Sequence, residues 1–222
     1  MIFQVYSSRQ ALMTGLASII TAELRAALVL GPATLSVPGG TTPGPVFDIL
    51  AETPLDWARV AVLLNDERWV DEASPRSNTR LLRERLLVGK AAQACLVPLH
   101  APTPLPEDAM AALSVGIAPH LPITVLLLGM GADLHTASLF PGADKLAEAL
   151  SPDAPILMAL RAQAAGEPRI TLSARVLQAA RHIHILITGP EKRAALDRAL
   201  TLTPTEAPIR VVLDQSTVHW AE

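Results

Sequence analysis

Cysteine is nearly absent, with Cys95 the only one in 222 residues. A disulfide framework and a cysteine-built zinc site within one chain are therefore excluded, and a reducing compartment suits the sequence. Aromatic residues are scarce too, at 3%. The core must come from Leu, Val, Ile and Ala, and a base-stacking platform for nucleic acid lacks its material. Lysines number three against fifteen arginines. Most of these arginines, such as Arg80, Arg83 and Arg85, fall in helix-like stretches and read as a solvated face. The charges nearly cancel at a formal net charge of -3, which leaves no electrostatic footprint for nucleic acid. Long hydrophobic runs are also missing. Val125–Leu128 and Ile183–Ile187 have strand length, far short of the roughly 20 residues that span a bilayer. The opening MIFQVYSSRQ lacks the basic stretch, apolar run and small-residue cleavage site of an export signal. These absences predict a soluble cytoplasmic protein with no membrane or nucleic-acid partner.

What is present is apolar. Hydrophobic residues make up 50% and charged residues 18%, which excludes a disordered chain. The length predicts a single domain over residues 1–222, with a core large enough to need no staples.

Short apolar runs alternate with amphipathic stretches. Leu12, Leu16, Ile19, Ile20, Leu24 and Leu28 recur near a period of 3.6 and predict a long helix over 9–29. Ala33–Val37 reads as a strand, and Thr42-Pro43 as an N-cap followed by a proline at the first helical position. Val60–Leu64, Ala94–Val97, Ile123–Leu128, Ile156–Leu160, Ile170–Leu172 and His182–Thr188 read as further strands, with Ile209–Leu213 as the closing one. Helices are expected from Ser77-Asn78, over 106–117 and over 191–200. This alternation predicts an α/β fold of three layers, a mostly parallel sheet with helices on both faces. Ligands of such sheets bind beyond the C-terminal strand ends, so the polar residues there are the ones to weigh.

Three strand ends stand out. The first is Val37-Pro-Gly-Gly-Thr-Thr-Pro43. Its glycines allow close backbone approach, and a following helix start offers free N–H groups, a combination that binds phosphate. A plain strand-to-helix turn uses the same residues. The second is Asn65-Asp66-Glu67-Arg68, with Ser77-Asn78 downstream, where solvated surface charge is the competing reading. The third is Gly129-Met-Gly-Ala-Asp133-Leu-His135-Thr-Ala-Ser-Leu-Phe-Pro-Gly142. Histidine titrates near neutrality, so His135 is a candidate general base, with Asp133 holding the ring or lining the pocket. His100, His120, His182, His184 and His219 lack this setting and read as structural or exposed.

In order and spacing these segments resemble the 6-phosphogluconolactonase family. The matching residues are GGTTP at 39–43, DER at 66–68, SN at 77–78, GMGADLHTASLFPG at 129–142, RITL at 169–172 and GPEK at 189–192. Together they run along nearly the whole chain, and the 14-residue loop is highly specific. The resemblance implies the related sugar-phosphate isomerase/lactonase fold. It also implies hydrolysis of 6-phospho-D-glucono-1,5-lactone to 6-phosphogluconate in the oxidative pentose phosphate pathway. His135 would deprotonate the attacking water, with Asp133, Asp66 and Arg68 in the catalytic set and backbone N–H groups or Arg68 facing the developing oxyanion. Gly39, Gly40, Thr41, Thr42, Arg169 and Lys192 would hold the phosphate. The implied partner is the small sugar-phosphate lactone, with no metal, no organic cofactor, and a monomer or small homo-oligomer.

Three other readings compete. Glucosamine-6-phosphate deaminases share the glycine loop and the Asp-x-His, but continue to Asn-Glu-Pro, whose glutamate assists ring opening. Here Ser138-Leu139-Phe140-Pro141 supplies no acid. A non-catalytic sugar-phosphate-binding module would carry a DNA-binding helix-turn-helix or lose the histidine, and neither is evident. A ribose-5-phosphate isomerase reading has no motif behind it. The chain departs from the family pattern at Pro38, at Asp71, and at Leu134, which replaces a glycine. Leu134 is expected in an ordinary β or α conformation, with its side chain packed over the pocket or under the sheet edge.

Overall fold

The computed structural model describes residues 1–163 and 165–222. Its elements in chain order are β1 (Ile2–Val5), α1 (Arg9–Leu30), β2 (Ala33–Val37), α2 (Gly44–Ala51), β3 (Val60–Leu64), β4 (Asp66–Arg68), α3 (Asn78–Arg85), β5 (Cys95–Leu96), α4 (Met110–Ile117), β6 (Val125–Gly129), α5 (Leu146–Ala149), β7 (Leu157–Leu160), β8 (Arg169–Leu172), α6 (Ala174–Gln178), β9 (His182–Thr188), α7 (Gly189–Ala199), α8 (Arg210–Leu213) and β10 (Thr217–Ala221). Seven strands form one sheet in the order β1-β10-β9-β6-β2-β3-β5, and every pairing in it is parallel. All five residues of β2 and of β3 are buried, so both faces of the sheet centre are covered, as parallel sheets require.

The chain leaves β2 toward β3 and β5, then returns to place β6 on the other side of β2. This reversal opens a crevice between the C-terminal ends of β2 and β6, the usual ligand position in such sheets. Loops 38–43 and 130–135 both start there.

A second, antiparallel sheet runs β4-β8-β7. Asn65 joins it to the main sheet. The Asn65 backbone N–H donates to Val37 O at 3.0 Å and its side-chain amide to Leu127 O at 2.7 Å, while Asn65 O accepts from Leu172 N at 2.9 Å. The Asp-Glu-Arg run is thus a strand in its own right and not merely the polar end of β3. Likewise β7 and β8 lie outside the parallel sheet that the strand–helix alternation predicts for them.

Helix α1 is long and apolar enough to cross a membrane by length and composition alone. Its apolar face packs instead on β2, β6 and β10. Ser8 caps it, accepting from Ala11 N at 3.1 Å.

Three local expectations are corrected. Ile209–Leu213 is not a strand, since residues 210–213 form α8 and Ile209 is already αR. Buried Ile209, Val212 and Leu213 follow i, i+3, i+4 spacing around the charged Arg210, a helical pattern that five residues are too few to separate from a strand. The closing strand is β10, whose buried His219 masks its pattern, and the exposed edge strand β1 lies in a segment read only for export signals. Thr42 does not cap α2, which starts at Gly44 behind an αR Pro43 with no side-chain cap.

A buried polar chain ties α1 to the sheet. Tyr6 Oη lies 2.9 Å from His219 Nδ1, His219 Nε2 lies 3.0 Å from His184 Nδ1, and His184 Nε2 lies 2.8 Å from Glu23 Oε2. The Glu23 carboxylate accepts, so His184 donates through Nε2, His219 donates to His184, and Tyr6 donates to His219. His182 adds a contact to Glu23 Oε1 at 3.3 Å. Burial, with the nearby His184 second, pushes the His219 pKa down to about 4. The unfolded chain therefore takes up a proton near pH 6.5 that the folded chain refuses until about pH 4. The His219 contribution to stability should fall by about 2–3 kcal/mol as pH drops from 6.5 to 4, and change little below. Urea titrations across this range should show that slope, and His219→Gln should flatten it. An unchanged slope in the variant would assign the acid sensitivity to other groups.

Candidate active site

The catalytic-type pair sits in the loop after β6. His135 Nδ1 lies 2.6 Å from Asp133 Oδ1. With the carboxylate accepting from Nδ1–H, Nε2 is left with a free lone pair, and the ring lines the cleft. Asp133 does not line the cleft, so it is the ring-holding role that the geometry favours. The hydrogen bond from His135 is the main cause that holds the Asp133 pKa below the ordinary value.

The loop folds tightly around this pair. Gly131 N donates to His135 O at 2.9 Å, Leu134 N to Gly131 O at 3.0 Å, and Thr136 Oγ1 to Gly129 O at 2.9 Å. A Cβ on Gly131 would stand 2.1 Å from Asp133 Oδ1 and 2.2 Å from His135 Nδ1. Glycine is required there because the two reactive side chains close over its backbone. Gly131→Ala should leave the melting temperature within a few degrees and cut turnover by about 10²-fold, since displacing a reacting group by about 1 Å costs that much. Steady-state kinetics beside thermal unfolding would check both halves.

Leu134 corrects the expectation of an ordinary backbone, for it holds φ 71. It also packs, being 5% exposed, and its carbonyl accepts from Ile209 N at 3.1 Å. The left-handed conformation costs about 1 kcal/mol or somewhat more, while losing a buried leucine side chain costs about 2–5. Leu134→Gly should therefore destabilise the protein by roughly 1–3 kcal/mol despite relieving strain. Denaturant titration checks this, and a stabilised variant would show that strain dominates.

The cleft has a volume of about 410 Å³. Gly39, Gly40, Thr42, Asp66, Arg68, His135, Arg169 and Lys192 all line it. Thr41 instead faces the adjoining groove beside Arg9 and Asp48. The glycine loop is shaped by Asn78, whose Oδ1 would stand 2.0 Å from a Cβ on Gly39. Gly40 holds φ +84.

Asp66 Oδ2 accepts from Ser138 Oγ at 2.5 Å and stands 3.8 Å from Arg169 Nη1. Arg68 donates through Nη1 to Arg76 O at 2.7 Å, and Arg169 through Nη2 to Ala165 O at 3.1 Å. The Nε atoms of both are buried and unpartnered. Burial is the largest influence on Arg169 and lowers its pKa, Asp66 opposes this, and Arg68 and Arg76 add to the lowering. Such a cluster of cations is relieved by an anion. Lys192 stands in the first turn of α7, where free N–H groups add to the positive field. Among the described residues no group of three His, Cys, Asp or Glu side chains could hold a metal ion.

Two residues escape the sequence reading. Glu67, fully buried, accepts from Arg68 N at 2.8 Å, Asn78 N at 2.8 Å, Thr79 N at 2.7 Å, Thr79 Oγ1 at 2.7 Å and Ser77 Oγ at 3.3 Å. It caps the start of α3 from β4, and so sets the Asn78 side chain against Gly39. The second is Phe140, whose ring centroid lies 4.3 Å from that of His135. The Asp-Glu-Arg run drew attention to its end charges, and an apolar residue after a histidine carries no chemical flag.

The fold and this cleft define an α/β protein in which arginine and lysine side chains line one cleft with a carboxylate-backed histidine. The comparisons narrow that class. The family model for glucosamine-6-phosphate isomerases/6-phosphogluconolactonase matches residues 7–220. A 6-phosphogluconolactonase of Rhizobium meliloti is 39% identical over 98% of this chain and 97% of its own, and one of Mesorhizobium japonicum is 41% identical over 99% and 94%. The crystal structure of a 6-phosphogluconolactonase from Shewanella baltica superposes with a TM-score of 0.96 at 34% identity, covering 100% of this chain and 97% of the other. The chain belongs to the glucosamine-6-phosphate isomerase/6-phosphogluconolactonase family.

Proposed function

We propose that this protein hydrolyses 6-phospho-D-glucono-1,5-lactone to 6-phospho-D-gluconate in the oxidative pentose phosphate pathway, as a soluble enzyme of the cytoplasm. The observation that carries the reading is the cleft itself, in which a carboxylate-backed imidazole shares about 410 Å³ with two arginines, a lysine and a glycine loop. The names of the relatives support it.

A lactone is an activated ester, so water can attack without a covalent intermediate. His135 Nε2 takes a proton as the water oxygen bonds to C1. The charge on the carbonyl oxygen is met by loop N–H groups or by Arg68. The tetrahedral intermediate then collapses, the bond from C1 to the ring oxygen breaks, and His135 returns the proton to that oxygen. Asp133 keeps Nδ1 protonated and steadies the imidazolium between the two transfers. Gly39, Gly40 and Thr42 on one side, with Arg169 and Lys192, hold the phosphate, and Thr41 shapes the same turn by accepting from Gly44 N at 3.2 Å.

The family also contains ring-opening isomerases. Against that reading, the residue stacked on His135 is Phe140, and the nearby acids are engaged, Asp133 with His135 and Asp66 with Ser138. Lactone hydrolysis measured against its spontaneous rate, beside a deaminase assay, separates the two. Only enzyme-accelerated hydrolysis is expected, and acceleration of deamination alone would replace this reading. His135→Asn should lower kcat by at least about 10²-fold with little change in KM. Lys192→Ala and Arg169→Ala should each weaken 6-phosphogluconate binding by roughly 1.5–3 kcal/mol, and affect unphosphorylated gluconolactone far less. Equal losses on both substrates would make them residues of the fold.

A further inference from the structure

Phe140 is the one phenyl ring lining the cleft, and the chain path is built to put it there. Directly after His135 the backbone turns back on itself. Ala137 holds φ 49, Leu139 N donates to Thr136 O at 2.9 Å, and residue 140 returns over the imidazole. The two ring centroids are 4.3 Å apart with planes inclined by 33°, which leaves no room for a group between them. The same ring has Arg169 Cζ 5.8 Å from its centroid, inside the range of a cation–π contact.

Arg169 has few other ties. Its Nη1 stands 3.8 Å from Asp66, beyond hydrogen-bond length, because Asp66 Oδ2 is engaged by Ser138. Its Nη2 reaches one carbonyl, and its Nε has no partner. Both His135 and Arg169 therefore lean on one rigid, 6%-exposed ring that carries no reactive group.

We propose that Phe140 is a positioning residue, whose ring sets the imidazole of His135 and the guanidinium of Arg169 at a fixed spacing. A substrate whose phosphate rests on Arg169 then presents its lactone carbonyl to Nε2 of His135. The role rests on the reading of His135 as base and Arg169 as phosphate ligand. It implies a dependence on the phosphate, since an unphosphorylated lactone does not use the spacing.

Phe140→Leu keeps an apolar side chain of similar bulk but removes the ring, and Phe140→Tyr keeps the ring. Both would be assayed on 6-phosphogluconolactone and on unphosphorylated glucono-1,5-lactone, beside thermal unfolding. Phe140→Leu should lose about 30-fold in kcat/KM on the phosphorylated substrate and no more than about fivefold on the other, in keeping with the cost of small misplacements. Phe140→Tyr should stay within about threefold of wild type on both, by the same reasoning about retained placement. A fully active Phe140→Leu, equal losses in the two variants, or equal losses on the two substrates would overturn the proposal. Should Phe140→Leu fail to fold, the wild-type protein still decides. The carbon-bound ring protons of His135, identified by their disappearance in His135→Asn, should resonate upfield of exposed histidines because they lie over the phenyl ring. Unshifted protons would overturn the stack. A wild-type protein that does not accelerate lactone hydrolysis would overturn the lactonase reading, a result distinct from an active wild type with an unaffected Phe140→Leu.

Discussion

The hydrogen bond between His135 Nδ1 and Asp133 Oδ1, at 2.6 Å across a single intervening residue, sets the terms for everything around it. Two side chains in an i, i+2 relation share one face of an extended strand, where two residues of rise hold their Cα atoms roughly 6.6 Å apart. Here the chain curls instead and draws the pair together, and the oddities of the loop belong to that turn. Gly131 has no Cβ because the pair closes over its backbone. Leu134, the residue between them, is driven to φ 71, a conformation usually left to glycine. Its strain is held by burial of its side chain and by the bond from Ile209 N, so a short C-terminal helix far along the sequence helps to brace the loop.

The cationic side of the cleft depends on the second sheet. Asn65 sits at the junction, with bonds to β2, β6 and β8, and everything after it is aimed by that anchor. Asp66 and Arg68 reach the cleft from β4, and Arg169 faces Arg68 across the ladder to β8. Burying arginines together is unfavourable without a counter-charge, and Asp66 is the nearest one. The short bond from Ser138 draws Asp66 away from full pairing with Arg169, which leaves positive field for a ligand. Glu67 answers a different need. Four of its five accepted bonds come from backbone amides and hydroxyls around the start of α3, where a carboxylate also meets the positive end of the helix, and the fifth comes from the neighbouring Arg68 N.

The sequence made the chemistry legible where polar residues follow buried strands. An Asp-x-His after a buried run such as Ile123–Leu128 is a sharper signal than the glycine loop, which a plain strand-to-helix turn also uses, and the parallel sheet follows from the same alternation. What stayed hidden was of two physical kinds. Ile209–Leu213 is a short, mostly apolar segment whose helix and strand patterns coincide until tertiary contacts choose, and β1 and β10 are edge and near-edge strands with weak alternation. The role of Glu67 depends on a loop that returns Ser77–Thr79 to it, and that of Phe140 on a reversal of the backbone, neither of which leaves a local signature. The Leu134 backbone stays hidden for a related reason. An apolar side chain argues for packing, which the structure bears out, yet packing and a left-handed backbone are compatible when the surroundings compensate.

The histidines show how the surroundings assign a role. His219 and His135 both bind a polar partner through Nδ1, Tyr6 Oη for one and Asp133 for the other. His219 is fully buried, its second nitrogen is committed to His184, and burial pushes its pKa down to about 4. Such a ring stays neutral at ordinary pH, has no free lone pair for a substrate, and serves to fasten α1 to the sheet. The His135 side chain is 31% exposed, its second nitrogen is uncommitted, and a carboxylate stands ready to balance a positive ring. Neither residue type nor the presence of a polar partner on Nδ1 separates the two. The separation comes from the free nitrogen and its access to the cleft, which only a strand end beside the β2–β6 crevice provides.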